Sequence, residues 1–260
     1  MGGRVEDAPL IDPQLRLAST LGRSRLGPRW LALDPRDAST HVLYAIESRD
    51  TAGLFEKTRV LQGFSQAHLL PIEGVGVDAS GTLWLASPYT GSHDGLLTLE
   101  SLRQAKGGRL MPSEVEEFVS HILGAVRAAH ERGLVHGPIS ASEILVDRRG
   151  SLLIEMYSLA RALEPTPASE ADAIRDEVRS VVALAYHLLT GIVADEPRIP
   201  ATRLVRRLEA SWDRWFELGL DPLAGFADAG EALQHPALTE PEPGPVRVVL
   251  GRVRSALTNG

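Results

Sequence analysis

From Ser113 to Val146 the chain sets a helical stripe, a glycine stop, a polar loop and a short apolar run in direct succession, and the rest of the sequence is organised around this stretch. The stripe is Val115, Phe118, Val119, Ile122, Ala125, Val126 and Ala129, spaced for one face of a helix. Ser113 is the expected N-cap, with Glu116 completing a capping box. Gly133 ends the helix after His130-Glu131-Arg132. The loop Val135-His136-Gly137-Pro138-Ile139-Ser140-Ala141-Ser142-Glu143 follows and leads into Ile144-Leu145-Val146.

Upstream, residues 1–14 are polar and proline-marked, and read as a leader. Leu15 to Leu21 and Arg29 to Leu33 are strand-like around the turn Gly22-Arg23-Ser24-Arg25-Leu26-Gly27, and Thr40 to Glu47 is a third strand. Leu54, Phe55, Thr58, Leu61 and Phe64 have helical spacing, and Leu69-Leu70-Pro71-Ile72 follows them. Val75 to Asp78 and Thr82 to Ala86 form a hairpin that runs into Ser87-Pro88-Tyr89-Thr90-Gly91. Downstream, a turn at 147–150 precedes Ser151 to Arg161, and helices are expected at Glu177–Leu189, Val205–Gly219 and Ala227–Leu233. Trp212 and Trp215 are expected in the core. Pro236 to Pro245 is proline-rich and acidic, a linker. Val246, Val249, Leu250, Val253 and Leu257 then line one helical face with Arg247, Arg252 and Arg254 outside it. That tail reads either as docked on its own domain or as a contact surface, 246–257, for a partner.

Taken in order, these landmarks resemble a eukaryotic-like Ser/Thr protein-kinase domain of the bacterial type, in degenerate form. The loop is similar to the His-Arg-Asp-Leu-x-x-x-x-Asn signature, with His136 kept, Gly137 at the Arg, Pro138 at the Asp and Glu143 at the Asn. In that family the Asp accepts the substrate hydroxyl proton and the Asn holds a metal ion; proline has no side-chain acceptor. Gly22 and Gly27 keep the outer spacing of the glycine-rich hairpin, with Ser24 at the middle glycine. Tyr44-Ala45-Ile46-Glu47 resembles Val-Ala-Ile-Lys, with an acid at the phosphate-binding lysine. Lys57, or Glu56 one residue away, falls at the partner glutamate of the following helix, so a reversed Glu47–Lys57 pair is a hypothesis. Met156-Tyr157-Ser158 stands at Asp-Phe-Gly, and a thioether is a poor ligand for magnesium. Arg29 falls at the valine over the adenine ring, where it fills the pocket or binds an anion, while Ala45 and Leu145 keep the other apolar contacts. Pro88 removes one N–H from the hinge. Glu177 takes the place of the anchoring Asp of the large lobe's buried helix, only 21 positions after Met156. Ala168-Ser169-Glu170 is a candidate vestige of Ala-Pro-Glu, and Gly225 replaces its arginine partner.

The resemblance implies an α+β, two-lobed fold, with a small lobe at 15–87 and a larger helical lobe at 88–235. Residues that support folding are kept, His136, Tyr157 and Leu61 among them. Those acting on phosphate or metal are replaced at Glu47, Pro138, Glu143 and Met156. Random decay would strike both classes, so the split points to a retained fold with a non-catalytic use: a pseudokinase serving as a protein-binding scaffold or allosteric regulator, with no cofactor, no metal and an unknown protein partner. Two alternatives remain, a phosphoryl- or nucleotidyl-transferase using displaced residues such as Glu143 and Glu155, and a structural domain of a larger assembly. The 260 residues are 43% apolar and 23% charged, ordinary for a globular chain. A net charge of -7 argues against a nucleic-acid surface, and the absence of cysteine excludes disulfides and thiolate chemistry. The opening Met1-Gly2-Gly3-Arg4-Val5-Glu6 has no apolar signal core, and no apolar run approaches the ~20 residues of a membrane helix. A soluble, cytoplasmic protein is expected.

Overall fold

The computed structural model describes residues 15–46, 51–78, 80–159, 161 and 169–235. The leader, Glu47, Ala168, the linker and the 246–257 tail lie outside them. The first lobe is a five-stranded antiparallel sheet of β1 (Arg16–Ser24), β2 (Gly27–Leu33), β3 (Thr40–Ile46), β4 (Gly74–Val77) and β5 (Leu83–Pro88), in the order β1-β2-β3-β5-β4. One helix, α1 (Thr51–Leu61), joins β3 to β4. The second lobe opens with a small sheet of β6 (Leu97–Thr98), β7 (Ile144–Val146) and β8 (Leu152–Ile154), with α2 (Leu99–Ala105) and α3 (Pro112–His130) inserted before β7. It continues through α4 (Glu170–Thr190), α5 (Ala201–Leu204), α6 (Ala210–Gly219) and α7 (Ala229–Leu233).

β3 is apolar on both sides, and the ladders sort its faces. Val42, Tyr44 and Ile46 pack with Leu54 and Leu61 of α1 and with Leu145, Met156 and Leu159 of the second lobe. Leu43 and Ala45 turn the other way, onto Leu15, Leu17, Ala32 and Trp84. The face bearing Tyr44 therefore lines the cleft between the lobes, and the face bearing Ala45 is turned away from it. After α1, Leu70 N–H donates to the Ile154 carbonyl and Ile154 N–H to that of His68, both at 2.9 Å. These bonds stitch the first lobe's helix loop to β8.

The second lobe is organised around α3 and α4. Val115, Phe118, Val119, Ile122, Val126 and Ala129 of α3 interlock with Val178, Val181, Val182, Ala185 and Leu189 of α4. Each such side chain contributes about 1.5–3 kcal/mol on burial. Trp212 and Trp215 are core residues, stacked edge-on at 5.7 Å, and the Trp215 indole donates to the Ala232 carbonyl at 3.0 Å.

Several helix starts differ from the sequence reading, and the last helix, expected from Ala227, begins at Ala229. α3 begins at Pro112, not after Ser113: proline suits the first helical position, where its missing N–H costs nothing, and Glu114 rather than Glu116 reaches back to Met111 N–H at 3.0 Å. The expected Val205–Gly219 helix is broken by Arg207 at φ +60°, so α6 starts only at Ala210. α4 begins seven residues before Glu177, with the Ser169 hydroxyl accepting from Asp172 N–H.

Candidate functional site

The loop between α3 and β7 is held from behind by one carboxylate. Glu177, on α4 and fully buried, accepts from the backbone N–H of His136 at 2.7 Å and of Gly137 at 3.1 Å through Oε2. Its Oε1 accepts from the Tyr157 hydroxyl. Burial and the Glu177 charge raise the Tyr157 hydroxyl well above the usual range, so it stays the donor. The His136 ring stacks on Tyr157 at 5.2 Å, and its Nδ1 accepts from Ser158 N–H at 3.1 Å. Met156 and Ser158 take left-handed backbone angles, φ +48° and +69°, which non-glycine residues rarely adopt. The strut and the stack hold that turn in place.

In front of the loop the cleft is filled by side chains. Arg29 of β2 lies opposite Tyr44 of β3 in the ladder, and both point into the cleft. The Arg29 guanidinium forks onto the Glu155 carboxylate, through Nη2 to Oε1 and Nε to Oε2, the latter at 3.1 Å; Arg29 is 5% exposed and Glu155 1%. Tyr44 donates its hydroxyl to Glu155 Oε2 at 3.1 Å, and Arg29 Nη2 also reaches the Ser142 carbonyl at 3.4 Å. Burial pushes the Glu155 carboxyl up while Arg29 pulls against it. At the β1–β2 tip, Ser24 takes over the turn: its hydroxyl donates to the Gly27 carbonyl at 2.9 Å and accepts from Leu26 N–H at 3.2 Å. That geometry folds Leu26 inward onto Leu145, Met156 and Leu159.

The mouth of the cleft is spanned by another, looser pair. Arg25 Nη1 lies 3.6 Å from Glu143 Oε1 and 3.4 Å from the Pro138 carbonyl. Glu143 also accepts from Ser140 N–H at 3.0 Å and from the Ser140 hydroxyl at 2.6 Å, and stands 3.6 Å from His136 Nε2. Burial alone would raise this carboxyl, but His136 and the Ser140 donors outweigh it and hold it at about 2. A cavity of about 530 Å³ remains at the mouth, between Arg23, Ser24, Arg25 and Arg29 above and Pro138 to Glu143 below.

Most of the residues singled out in the sequence meet at this cleft. Arg29, Leu145, Pro138, Glu143 and Met156 line it or its walls, while Gly22, at φ +82°, and Gly27 belong to the β1–β2 hairpin. Ala45 does not: it packs on the far face of the sheet, and Tyr44 occupies the wall position assigned to it. By the same alternation Ile46, buried at 3%, is the inward residue next along β3, and Glu47 lies outside the described residues. Lys57 is exposed; the polar side chain that α1 buries is Thr58, whose hydroxyl donates to the Leu54 carbonyl at 2.7 Å. In the hinge, Tyr89 N–H is bonded to the Thr40 carbonyl at 3.2 Å, and Pro88 has none to give. Ser169 caps α4, with Glu170 exposed in its first turn. A Cβ on Gly225 would fall 2.6 Å from the Asp221 carbonyl, so the turn there is too tight for the arginine that would complete such a bridge. Glu155 is the functional residue that sequence reasoning underweighted. An acid between apolar Ile154 and Met156 was its one signal.

Among the described residues no group of three or more His, Asp or Glu side chains gathers in a way that could hold a metal ion. No helix among them is long and apolar enough to cross a membrane.

The architecture is that of a protein-kinase domain, α+β, with a β-sheet small lobe and a helical large lobe. A crystal structure of the PknI kinase domain of Mycobacterium tuberculosis matches it with a TM-score of 0.65 over 94% of this chain and 96% of that one, at 18% identity. The Ser/Thr protein kinase PknF of the same organism is 27% identical over 247 residues, 80% of this chain and 50% of PknF. Cyclin-dependent kinase C-2 C of Arabidopsis thaliana is 26% identical over 108 residues, 41% of this chain and 16% of that protein. The chain thus spans at most about half the length of these relatives. No protein-family model matches it.

Proposed function

We propose that this is a eukaryotic-like Ser/Thr kinase domain of the bacterial type that has lost catalysis, a pseudokinase that serves signalling as a protein-binding scaffold or allosteric regulator. The observation that carries the reading is the buried Arg29–Glu155 pair, with Tyr44 donating to it, in the volume that the fold reserves for a nucleotide base. A magnesium nucleotide also needs oxygen ligands and a cation on the phosphates. The residues at hand do not fit it: Met156 presents a thioether, Pro138 has no acceptor, and Ile46 is apolar where the cleft wall faces the phosphates. Glu143 and Glu155, the carboxylates a displaced metal site would use, are each engaged by an arginine. That disfavours a transferase with relocated ligands.

A thermal-shift titration with ATP and ADP, each with and without magnesium or manganese, tests the reading. A ligand that binds only the folded state stabilises it by about 2.7 kcal/mol at a hundredfold excess over its dissociation constant. No shift at millimolar nucleotide is expected. A metal-dependent shift would mean that the Arg29–Glu155 pair yields to nucleotide, and the reading would be abandoned.

A further inference from the structure

Between α2, the first half of α3 and the β6–β7–β8 sheet lies an apolar groove that shares no residue with the cavity at the cleft mouth. Its floor is Leu99, Leu102, Leu110, Phe118, Val146 and Leu152, all buried. It holds about 60 Å³. At ~10–15 Å³ for each water-sized group, that is room for one leucine side chain. The rim is polar, and its α3 wall is acidic. Lys106 is taken by Glu114 in an ion pair, whereas Glu117, one turn further along α3, has no ion-pair partner among the described residues. Burial and the stacked His68 ring lower the His121 imidazole, so at neutral pH it adds no positive charge to that wall. An apolar hollow with an acidic wall suits an occupant that has one apolar face with cations beside it.

This chain carries such a segment. Residues 246–257 hold the stripe Val246, Val249, Leu250, Val253 and Leu257 with three arginines and no acid, in a chain whose net charge is -7. The segment is also tethered within reach. α7 packs against α3, where a Cβ on Gly230 would lie 3.5 Å from Cδ of Arg127, and the described residues run on to His235. Arg127 stands about 15 Å along α3 from Glu117, at 1.5 Å per residue. Residues 236–245 can span up to ~33 Å, which covers that distance and the turn around the helix. We propose that residues 246–257 dock in this groove, with Leu250, central in the stripe, seated in the hollow and the tail arginines against the Glu117 wall. The groove lies apart from the cleft, so this holds whether or not the cleft takes nucleotide.

Hydrogen exchange of the full chain, read by mass spectrometry over 246–257, tests it. Those amides are expected to exchange at least about tenfold more slowly than in Leu250→Asp, because docked backbone exchanges only when its contact opens. On the groove side, Leu97→Lys sets a charge at the rim and should release the segment to the same degree. Glu117→Lys should release it by about threefold, the scale of one surface charge pair. Changing Arg247, Arg252 and Arg254 to Glu in that background should restore the protection. Exchange within α3 and α4 is read in the same spectra and exposes any folding defect in Leu97→Lys. The Glu117→Lys variant, on a partly exposed side chain, then carries the test. Free exchange of 246–257 in the parent chain overturns the proposal and leaves the groove to a separate protein. Protection that Leu250→Asp abolishes but both groove variants leave intact overturns it as well, since the segment then docks elsewhere. Protection that fades on dilution assigns the groove to the tail of a second copy and overturns docking within one chain.

Discussion

The loop from Val135 to Glu143 has two sides, and they are built differently. Its rear, facing α4, keeps a complete polar strut: Glu177 takes two backbone N–H groups and the Tyr157 hydroxyl, and His136 stacks on that same tyrosine. Its front faces the cleft, where Pro138, Met156 and Ile46 offer nothing to a phosphate or a metal, and Arg29, Glu155 and Leu26 occupy the space. Both sides are buried and both contain an anion with its donors. They differ in reach. The rear ties elements of the large lobe to one another, whereas the front ties the small lobe to the large one through a pair 126 positions apart in sequence. An ion pair thus bridges the lobes at the front, while the strut at the rear stays within the large lobe.

The sharpest way to break this comparison is Glu177→Ala. It strands two backbone donors and a phenol in a dry interior, and each unsatisfied group costs about 1–3 kcal/mol, so a loss of at least about 3 kcal/mol is expected. Urea denaturation should show it as a lower midpoint at unchanged slope. Arg29→Ala comes next. Glu155 would be left buried and uncompensated, for which about 3 kcal/mol is expected, while Arg29→Met combined with Glu155→Leu should recover most of it. If the single and double variants are equally unstable, the pair is not what joins the lobes.

A smaller effect is readable in pH. Glu143 titrates at about 2 in the folded protein against 4.5 ordinarily. Its folded value is the lower one, so its contribution is fully present above pH 4.5 and is lost as pH falls toward 2. The shift corresponds to about 3 kcal/mol as an upper bound, spread over that window. Glu143→Gln should flatten the stability curve between pH 4.5 and 2 while leaving its slope near neutrality alone. A mutant curve parallel to the parent's would show that Glu143 is not held by His136 and Ser140.

How much of this was legible in the sequence depends on what reports each feature. The order of elements and the loop with its Glu177 anchor were readable, because helical and strand periods and the spacing between landmarks survive substitution. The β3 register was not. Val42-Leu43-Tyr44-Ala45-Ile46 is apolar at every position, and when both faces of a strand are buried the period of two that separates inside from outside vanishes. The resemblance therefore puts Ala45 in the cleft, where the structure has Tyr44. Arg29 stood out as a charge in an apolar strand, with two fates open. Which one holds is decided by Glu155, and no local pattern links two residues so far apart.

That register also yields the finest test. Tyr44→Phe removes one hydrogen bond to a buried carboxylate that Arg29 still neutralises, so about 1–1.5 kcal/mol is expected. Were Ala45 the inward residue, Tyr44 would sit on the far face and its hydroxyl would have no carboxylate to serve, making the change neutral. The outcome bears on more than one bond. An inward Tyr44 also puts Ile46 on the cleft face, so the wall there is apolar. The pair that joins the lobes at that wall is Arg29–Glu155, and Tyr44→Phe should weaken it without opening it.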